Sequence, residues 1–372
     1  MSKYNTLTKL FFTGLTAILL TACGGNSTTS YNTATGETLE LGVDNPVCQE
    51  GSSTYEGKVQ DSNTKKALKN VDIIIDGCRT KTDKNGYYKL SNILSQKRTS
   101  VTFKKDSYYH NSEIIYNNKS TSNYLEFSFD AYKSGEEINF NSKSGTSRDT
   151  IEISDTVVYR NIETNEKYSG QIKSNLFYKN TYNSKNKEFF PGTYQGIDSN
   201  GIIVPFVSYG FIVIEFNDKN NNELNISESI ISFKVKNLKG TQDEIIPLWY
   251  YNYDRGIWIE KGFAHRDDNG NYICEITQAG AWSLSKPIET EMGIYKGYIV
   301  DENENPITNV RIKATGKNWV NQDLTTDENG VFKIYVVPNQ TFTLSAYDYK
   351  EQYGAYFPGT ISKIASGAVV EE

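Results

Sequence analysis

The sequence predicts an all-β protein of tandem β-sandwich modules, and three observations carry that prediction. Residues that fit the pleated surface of a strand are abundant: 27 of the 372 residues are Tyr and 17 are Phe. Apolar and polar residues alternate at period two in many segments, and no stretch of about 12 residues keeps the 3.6-residue period of a helix. The two ends of the chain also carry copies of one β unit.

The chain opens with a segment that is typical of export. Lys3 and Lys9 precede an apolar run at residues 10–20, which is too short to cross a bilayer because a spanning helix needs about 20 residues. The next residues, Leu20-Thr21-Ala22-Cys23, resemble the bacterial lipobox. The resemblance implies that residues 1–22 are a signal peptide and that Cys23 carries a diacylglyceryl anchor. An ordinary signal peptide with an incidental Cys23 is the alternative.

Residues 23–53 are predicted to be the lipidated cysteine followed by a flexible tether, because residues 24–30 are small and polar. Gly24, rather than an aspartate, follows the cysteine, which resembles the sorting signal for the outer membrane of Gram-negative bacteria. The predicted location is the cell envelope, lipid-anchored to the outer membrane and facing the periplasm or the cell surface. The membrane is therefore the first expected partner.

Export also decides how the other three cysteines are interpreted, since disulfides form outside the cytoplasm. Cys48 lies just before the first predicted strand and Cys78 at the end of the next one, so these two are the expected pair. Such a bond closes a loop of about 30 residues and contributes about 2–4 kcal/mol. Cys274 alternates like a strand residue and is expected to be a buried free thiol.

A repeated β unit occupies both ends of the mature chain. Each copy contains the pattern G-x-[VI]-x-D, then V-x-[IV], then T-D-x-x-G-x-[YF]. Self-similarity with alternating apolar positions marks one structural unit, and Asn-Gly in each turn is a strong hairpin signal. The matched segments are 55–61 with 295–301, 70–75 with 309–314, and 82–90 with 326–334.

This pattern resembles the carboxypeptidase regulatory-like domain, a seven-stranded, prealbumin-like sandwich that is widespread in exported bacterial proteins. The resemblance covers residues 54–133 and 291–372. It implies two small β-sandwiches that flank a larger β domain.

Residues 134–290 are the predicted central β domain. Several of its short motifs resemble a region of exported bacterial proteins that is distantly like the cartilage intermediate layer protein family. The motifs are Tyr168-Ser169-Gly170-Gln171-Ile172, Phe190-Pro191-Gly192, Ser208-Tyr209-Gly210, Pro247-Leu248-Trp249-Tyr250-Tyr251, Gly256-Ile257-Trp258 and Ala281-Trp282. The resemblance transfers no catalytic residue to this chain.

Composition and motifs argue against several classes of function. A net charge of −6 argues against a nucleic-acid partner, which would need a basic face. His110 and Glu113 spell H-x-x-E, with His265 as the only third ligand for zinc, but residues three apart in a strand point to opposite faces. No nucleophile elbow or phosphate-binding loop occurs, so we expect no catalytic residue, no metal and no cofactor. A pair of converging carboxylates, as in glycosidases, is left open.

Turns rich in Asp and Asn raise the question of calcium. The turns at residues 218–223, 267–269 and 301–305 offer the oxygen ligands that calcium prefers. None has the spacing of an EF-hand, and hairpin turns favour Asp, Asn and Gly for their own conformation. Calcium therefore stays an open alternative at these turns.

A group of aromatic residues is the remaining signal for a ligand. Tyr250 and Trp258 are the candidate contacts for a sugar ring or a protein partner. Burial in a sandwich core is the favoured interpretation of Trp249 and Trp258, since Trp249, Tyr251 and Tyr253 face one way along a strand.

Together these features predict a membrane-anchored cell-envelope lipoprotein with a non-catalytic structural, adhesive or partner-binding role. Its partner is expected to be a protein or a glycan of unknown identity. The alternative is a carbohydrate-binding accessory protein of a polysaccharide-uptake system, which the aromatic residues alone support.

Overall fold

The predicted fold class is confirmed, because the protein is all-β. The computed structural model describes residues 28–94, 96–116, 122–129, 137–140, 151–152, 157–182, 184–227, 230–235, 238–347, 354–356 and 360–371. The predicted signal peptide and Cys23 lie outside these residues. Within them, no helix has the length and apolar character that crossing a membrane requires.

The first described segment is a hairpin that leads into a small sandwich, which we call module 1. The N-terminal hairpin consists of β1 (Thr28–Asn32) and β2 (Glu37–Leu41). Module 1 consists of β3 (Glu50–Asp61), β4 (Asp72–Ile75), β5 (Cys78–Lys81), β6 (Tyr87–Ile93), β7 (Arg98–Lys104), β8 (Asn111–Tyr116) and β9 (Ser122–Phe129). One sheet has the order β6-β3-β9 and the other has the order β5-β4-β7-β8, so the module is a two-sheet sandwich.

The central domain is one large sheet. Its strands are β10 (Glu137–Phe140), β11 (Ile151–Glu152), β12 (Val158–Asn161), β13 (Lys167–Tyr168), β14 (Ile172–Lys179), β15 (Gln195–Ile197), β16 (Ile203–Asn217), β17 (Glu223–Ser227), β18 (Ile231–Val235), β19 (Ile245–Asn252), β20 (Ile257–Arg266), β21 (Tyr272–Ile276) and β22 (Gly280–Pro287), with a 3-10 helix at Ser184–Phe189. The main strand order is β11-β18-β21-β20-β19-β22-β16-β17-β12-β13. Tyr159 and Phe233, from opposite ends of this order, pack in one core cluster with Trp282, so the sheet curls around that core.

The last described segment forms a second small sandwich, which we call module 2 and which has the topology of module 1. Its strands are β23 (Gly293–Tyr298), β24 (Arg311–Thr315), β25 (Val320–Thr325), β26 (Val331–Val336), β27 (Thr343–Tyr347), β28 (Gly354–Tyr356) and β29 (Val369–Glu371). The sheets are ordered β26-β23-β29 and β25-β24-β27-β28. In both modules the first and last strands pair in parallel. The repeated sequence therefore encodes a repeated seven-stranded sandwich within the described residues.

The T-D-x-x-G signature is explained by the contacts that it makes in both modules. In module 1, the Thr82 hydroxyl donates to the carbonyl oxygen of Leu68 at 2.6 Å and accepts from the Val71 amide at 2.9 Å. Gly86 has a φ of 74°, and a Cβ atom there would come within 2.4 Å of the Val59 carbonyl oxygen. Glycine is therefore needed for the left-handed backbone and for the close approach.

The same contacts recur in module 2. The Thr326 hydroxyl donates to the carbonyl oxygen of Ile307 at 2.7 Å and accepts from the Val310 amide at 3.0 Å. Gly330 has a φ of 72°, and a Cβ atom there would come within 2.5 Å of the Ile299 carbonyl oxygen. The T-D-x-x-G signature thus lies where the two sheets of each sandwich are connected, and its hydrogen bonds stabilise that connection.

The flexible tether predicted for residues 23–53 is wrong from Thr28 onward. Residues 28–41 form the N-terminal hairpin, and Asn32 pairs with Ile203 of β16. Leu41 is fully buried in a small cluster with Ile203 and with Ile197 and Ile257 of the central domain. The hairpin is ordered because Leu39 and Leu41, two residues apart, bury one face against the central sheet.

Cys48 and Cys78 form a disulfide, with 4.4 Å between their Cα atoms. Cys78 begins β5 immediately after the turn Asp76-Gly77, so the bond connects the chain at the entry of module 1 to the β4–β5 hairpin. Cys274 is a buried free thiol in the core of the central domain, and its burial raises the pKa of the thiol far above the ordinary value.

Candidate functional site

Trp258 does not fit the ligand-binding role considered for it. Its side chain is completely buried, and its indole N–H donates to the carbonyl oxygen of Pro191 at 3.0 Å. Its ring lies 4.8 Å from that of Phe190 and 5.0 Å from that of Tyr251. A ligand could reach it only if this core opened, so the ligand-contact hypothesis is wrong and Trp258 is a core residue.

Tyr250 lies on the other face of β19 from Trp249 and Tyr251. Its ring is 5.3 Å from that of Trp282 and packs against the core of the central domain. Trp249 and Tyr251 are completely buried in the cluster that contains Trp258. The structure therefore does not bring Tyr250 and Trp258 together into one site.

His110 lies where module 1 meets the central domain. It precedes β8, and its ring nitrogens lie 3.7 Å from a carboxylate oxygen of Glu215 and 3.5 Å from one of Glu223. His265 is exposed on β20, opposite Ile245. Among the described residues, no group of three or more His, Cys, Asp or Glu side chains is placed to hold a metal ion.

The three turns considered for calcium bind their own amide groups. In each turn the first aspartate accepts two backbone N–H groups at 2.8–3.0 Å, from the residues two and four positions later. The asparagine four positions later also donates its side-chain amide to that aspartate. The hydrogen bonds from Asn271 and Asn305 lower the pKa of the Asp267 and Asp301 carboxyls. These carboxylates are thus the caps of hairpin turns.

Module 1 is joined to the central domain by a buried polar network. The Arg98 guanidinium, 3% exposed, donates to the carbonyl oxygens of Arg255 and Gly256. The Ser112 hydroxyl lies 2.9 Å from that of Ser100 and accepts from the Tyr251 hydroxyl at 3.1 Å. Because these groups lose water together, each depends on the others for its partners.

Module 2 is joined to the central domain by a shared apolar core and by main-chain contacts. One cluster contains Phe206 and Trp249 of the central domain with Trp319 and Phe342 of module 2. A bulge in β16 after Ser208 leaves the amide of Ser208 to donate to the carbonyl oxygen of Asn318 at 3.0 Å.

The amine of Lys187, on the 3-10 helix, reaches across the same boundary. It donates to the carbonyl oxygens of Gly316 and Lys317 in the turn between β24 and β25. Burial, together with nearby Lys313, lowers the pKa of Lys187 to about 8.

A cleft opens where the N-terminal hairpin, the central domain and module 2 meet. We call it the junction cleft, and its volume is about 90 Å³. Phe206 and Trp319, each 1% exposed, lie at its base, and Tyr335 lies nearer the solvent. The lining residues are Asn32, Ala34, Thr35, Thr193, Tyr194, Gln195, Pro205, Phe206, Ile288, Met292, Trp319, Val320, Asn321, Tyr335 and Val337.

The polar groups of the junction cleft are uncharged. Asn32 donates its side-chain amide to the Gln195 side chain at 3.1 Å, which connects the hairpin to β15. The hydroxyls of Thr193 and Tyr194 are buried and have no hydrogen-bond partner among the described residues. Burial raises the pKa of Tyr194 well above its ordinary value, so the group is a neutral donor. Unpartnered buried hydroxyls are rare in folded proteins. The two residues that carry them belong to the lining of the cleft, which is the candidate functional site.

Little in the sequence points to this cleft, because its walls come from segments that are far apart in the chain. Thr193 and Tyr194 directly follow the Phe190-Pro191-Gly192 motif, which is the one local signal that pointed toward the site. Trp319 belongs to no motif that was considered. The hairpin that supplies Asn32 was predicted to be a tether.

Comparisons with known proteins give no family for the chain. No known family profile matches it, and no curated protein is detectably similar. Among solved structures, the Bacillus anthracis TIE protein is 12% identical, with a TM-score of 0.20, over 86% of this chain and 50% of that one. This chain thus spans about half the length of that protein.

Two solved pilins are similar at the same level. The major pilin subunit BcpA of Bacillus cereus is 11% identical, with a TM-score of 0.18, over 86% of this chain and 97% of the pilin. The major pilin SpaD of Corynebacterium diphtheriae is 7% identical, with a TM-score of 0.18, over 86% of this chain and 96% of the pilin.

Proposed function

We propose that the protein is a membrane-anchored cell-envelope lipoprotein that serves as a rigid structural, adhesive or partner-binding unit without catalysis of its own. The observation that carries the proposal is the joining of all three β modules through buried contacts. Tyr109 of module 1 stacks on Phe177 of the central domain at 3.8 Å, in the same cluster that contains Trp319 of module 2. An arrangement of this kind holds a binding face at a fixed place on an anchor.

The N-terminal hairpin supports the anchoring part of the proposal. Thr28, the first strand residue, follows Cys23 by five positions. Five residues of fully extended chain span at most about 18 Å. A lipid on Cys23 holds the central domain near the membrane surface, since the hairpin is part of that domain's sheet.

Metabolic labelling with an alkyne palmitate tests the anchor. We expect the wild-type protein to carry the label and to sediment with membranes, and the Cys23→Ser variant to lose both properties. Cys274→Ala is the matched control, because that thiol is buried in the core and should not affect labelling. An unlabelled wild-type protein that is released in soluble form would contradict the proposal.

The binding role is tested separately from the anchor. Chemical crosslinking in intact cells, followed by pulldown, should recover the protein with a specific envelope partner. Hydrolysis of a peptide or glycan library by the purified mature protein would contradict the proposal that it has no catalytic activity.

Carbohydrate binding is the second candidate function, and the junction cleft is the observation that favours it. Sugar-binding sites combine aromatic faces with neutral hydroxyl and amide groups, and the residues that line the cleft include both kinds without any charged side chain. A glycan array probed with the mature protein tests this candidate. If the protein binds no glycan on the array, carbohydrate binding is contradicted and only the first proposal remains.

A further inference from the structure

We infer that an exposed apolar face of module 2 binds a second copy of this chain, with the two copies antiparallel across the contact. The inference goes beyond the proposed function, because it depends on neither the lipid anchor nor a glycan. It rests on three observations: the continuity of the apolar face, its contrast with the same face of module 1, and the charges at its two ends.

The apolar face lies at one end of the ladder formed by β23 and β26. Tyr298 and Val331 are directly opposite each other in this ladder, and Val300 forms a bridge with Pro306. A Cβ atom on Gly330, the residue before Val331, would lie 3.1 Å from the Pro306 Cβ, so the two parts of the face adjoin. An exposed apolar patch on a folded protein marks an interaction site. Among the described residues, we call five exposed ones the module 2 face: Tyr298, Val300, Pro306, Ile307 and Val331.

The fold does not require apolar residues here, because module 1 has polar groups at the matching positions. The β3–β6 ladder pairs Lys58 with Tyr87 at the position where the β23–β26 ladder pairs Tyr298 with Val331. The Tyr87 hydroxyl donates to the Glu56 carboxylate at 2.6 Å, whereas Tyr298 is 62% exposed. Since the two modules share one topology, the apolar character of the module 2 face points to a contact that module 1 does not make.

The next pair of residues in the two ladders differs in charge. In module 1, Glu56 is opposite Lys89, and their charged groups lie 3.4 Å apart. In module 2, Lys296 is directly opposite Lys333, and like charges in this arrangement destabilise a sheet. Glu371 of β29 lies 3.9 Å from Lys296. Lys333 is exposed, so a carboxylate from a partner can reach it.

Acidic turns lie at the other end of the module 2 face. Asp327 and Glu328 precede β26, and Asp301 and Glu302 follow β23. The lysines occupy the opposite direction along both strands, two residues beyond the Tyr298–Val331 pair. The face therefore has acidic residues at one end and lysines at the other.

A second copy of the chain complements this distribution of charge. A two-fold axis that lies in the contact plane and crosses the strands would stack the two faces with their strands antiparallel. Lys333 of each copy then lies over the turn that contains Glu328 of the partner subunit, so opposite charges meet at both ends. Five apolar residues are few compared with the roughly 20–30 on each side of a standard interface, so association in solution is weak.

Sedimentation velocity of the purified mature protein tests the inference at concentrations from about 10 μM to about 1 mM. The protein carries Cys23→Ser, so that no lipid contributes and the result is independent of the anchor. We expect a concentration-dependent dimer. Tyr298→Lys, which introduces the residue found in module 1, should weaken the dimer Kd at least about tenfold. Phe263→Lys is the matched control, since Phe263 is 49% exposed on β20, outside the module 2 face, and should leave the Kd unchanged.

An exchange of charges tests the antiparallel arrangement. Lys333→Glu and Glu328→Lys should each weaken the dimer about three- to tenfold, because like charges then face each other across the contact. The two substitutions change the net charge in opposite directions, so net charge alone cannot produce both losses. The double variant restores opposite charges and should return the Kd to within about twofold of the wild type. Thermal unfolding should show that every variant stays folded, because the substituted positions are exposed.

Three results would overturn the inference. The first is a chain that stays monomeric up to about 1 mM. The second is a dimer that Tyr298→Lys leaves intact, or a double variant that dimerises no more tightly than the single variants. The third is a monomeric chain that binds phosphatidylcholine vesicles and loses this binding in Tyr298→Lys, which would assign the module 2 face to a lipid surface.

Discussion

At the scale of single residues, one turn recurs throughout the protein. In six turns of the described residues an aspartate accepts the backbone N–H groups two and four positions later, all at 2.8–3.0 Å. The fourth residue of each turn has a positive φ. The six aspartates are Asp83, Asp198, Asp218, Asp267, Asp301 and Asp327. The hydrogen bonds and the positive φ of this turn explain the Asp/Asn-rich composition that suggested calcium.

Glu304 is the exception that allows a test, because it occupies the fourth position with a φ of 64°. Four of the other turns have glycine there and one has asparagine. We expect Glu304→Gly to stabilise the protein by about 0.5–1 kcal/mol. A left-handed backbone costs a residue with a Cβ atom about 1–2 kcal/mol, and glycine avoids that cost. The greater conformational freedom of glycine in the unfolded chain offsets part of the gain. Denaturant unfolding measures the difference.

Glu302→Gly is the matched control in the same turn, because position 302 has no positive φ. That change should leave stability unchanged or lower it by up to about 1 kcal/mol. Equal effects of the two glycines would contradict the role of strain at Glu304.

Asp76 gives a second prediction, which depends on pH. Burial raises the pKa of its carboxyl to about 6, although the Thr99 hydroxyl and the charge of Arg98 act in the opposite direction. A raised pKa means that the charged form is disfavoured in the folded state, so stability is lost as the pH rises through 6. Asp76→Asn should therefore raise the free energy of unfolding by roughly 1–2 kcal/mol at pH 7.5 and by little at pH 3.5.

The backbone at Asp76 does not oppose this substitution. Asp76 and Gly77 form a two-residue hairpin turn with φ values of 46° and 81°, and asparagine suits the first position of such a turn. Asp72→Asn, in the exposed pair with Lys81, is the control and should show no gain at pH 7.5. An Asp76→Asn gain of the same size at both pH values would show that the turn, and not the charge, is responsible.

At the scale of strands and hairpins, prediction succeeded where the determinants are local. The duplicated sandwiches could be recognised because Thr82, Gly86 and their counterparts act within one hairpin and its neighbours. The Cys48–Cys78 bond was expected from the positions of the cysteines relative to the predicted strands, and the structure contains it. The N-terminal hairpin was missed because Leu39 and Leu41 find their apolar partners more than 150 residues later in the chain.

The N-terminal hairpin also provides a stability test. Leu41 is completely buried between Ile197, Ile203 and Ile257. We expect Leu41→Ala to destabilise the protein by about 2–4 kcal/mol, because it removes buried methyl groups and leaves a cavity. Amide hydrogen exchange should be faster in Leu41→Ala than in the wild type, and the increase should be larger at residues 28–41 than elsewhere. Val47→Ala, at a position that is 77% exposed, is the control and should change neither measurement.

At the scale of the whole molecule, the contacts between modules could not be predicted from sequence. His110 drew attention in the sequence only through its H-x-x-E spacing with Glu113, but it lies beside Glu215 and Glu223 across the boundary with the central domain. The junction cleft likewise depends on how module 2 sits against β16, a placement that involves the Ser208–Asn318 contact. Such long-range arrangements leave no periodic pattern in the chain, so the candidate site became visible only in three dimensions.

Lys187 shows how this packing can be measured. Its amine is buried against module 2, and burial, with the charge of Lys313, lowers its pKa to about 8. An ammonium ion there is disfavoured in the folded protein, so the penalty is fully present below pH 8 and is relieved as the pH rises toward the ordinary lysine value. The wild type should therefore gain stability between pH 7 and pH 9.5 relative to a variant that lacks the amine.

Lys187→Met is that variant, since methionine fills the space without a charge. Thermal unfolding of both proteins across this pH range should show the wild type gaining about 1–2 kcal/mol on the variant. Lys317→Met is the matched control, because that amine lies over the Tyr182 ring at 4.4 Å, near the same boundary. Parallel pH profiles for the wild type and Lys187→Met would mean that the amine stays hydrated and that module 2 does not pack closely against the central domain.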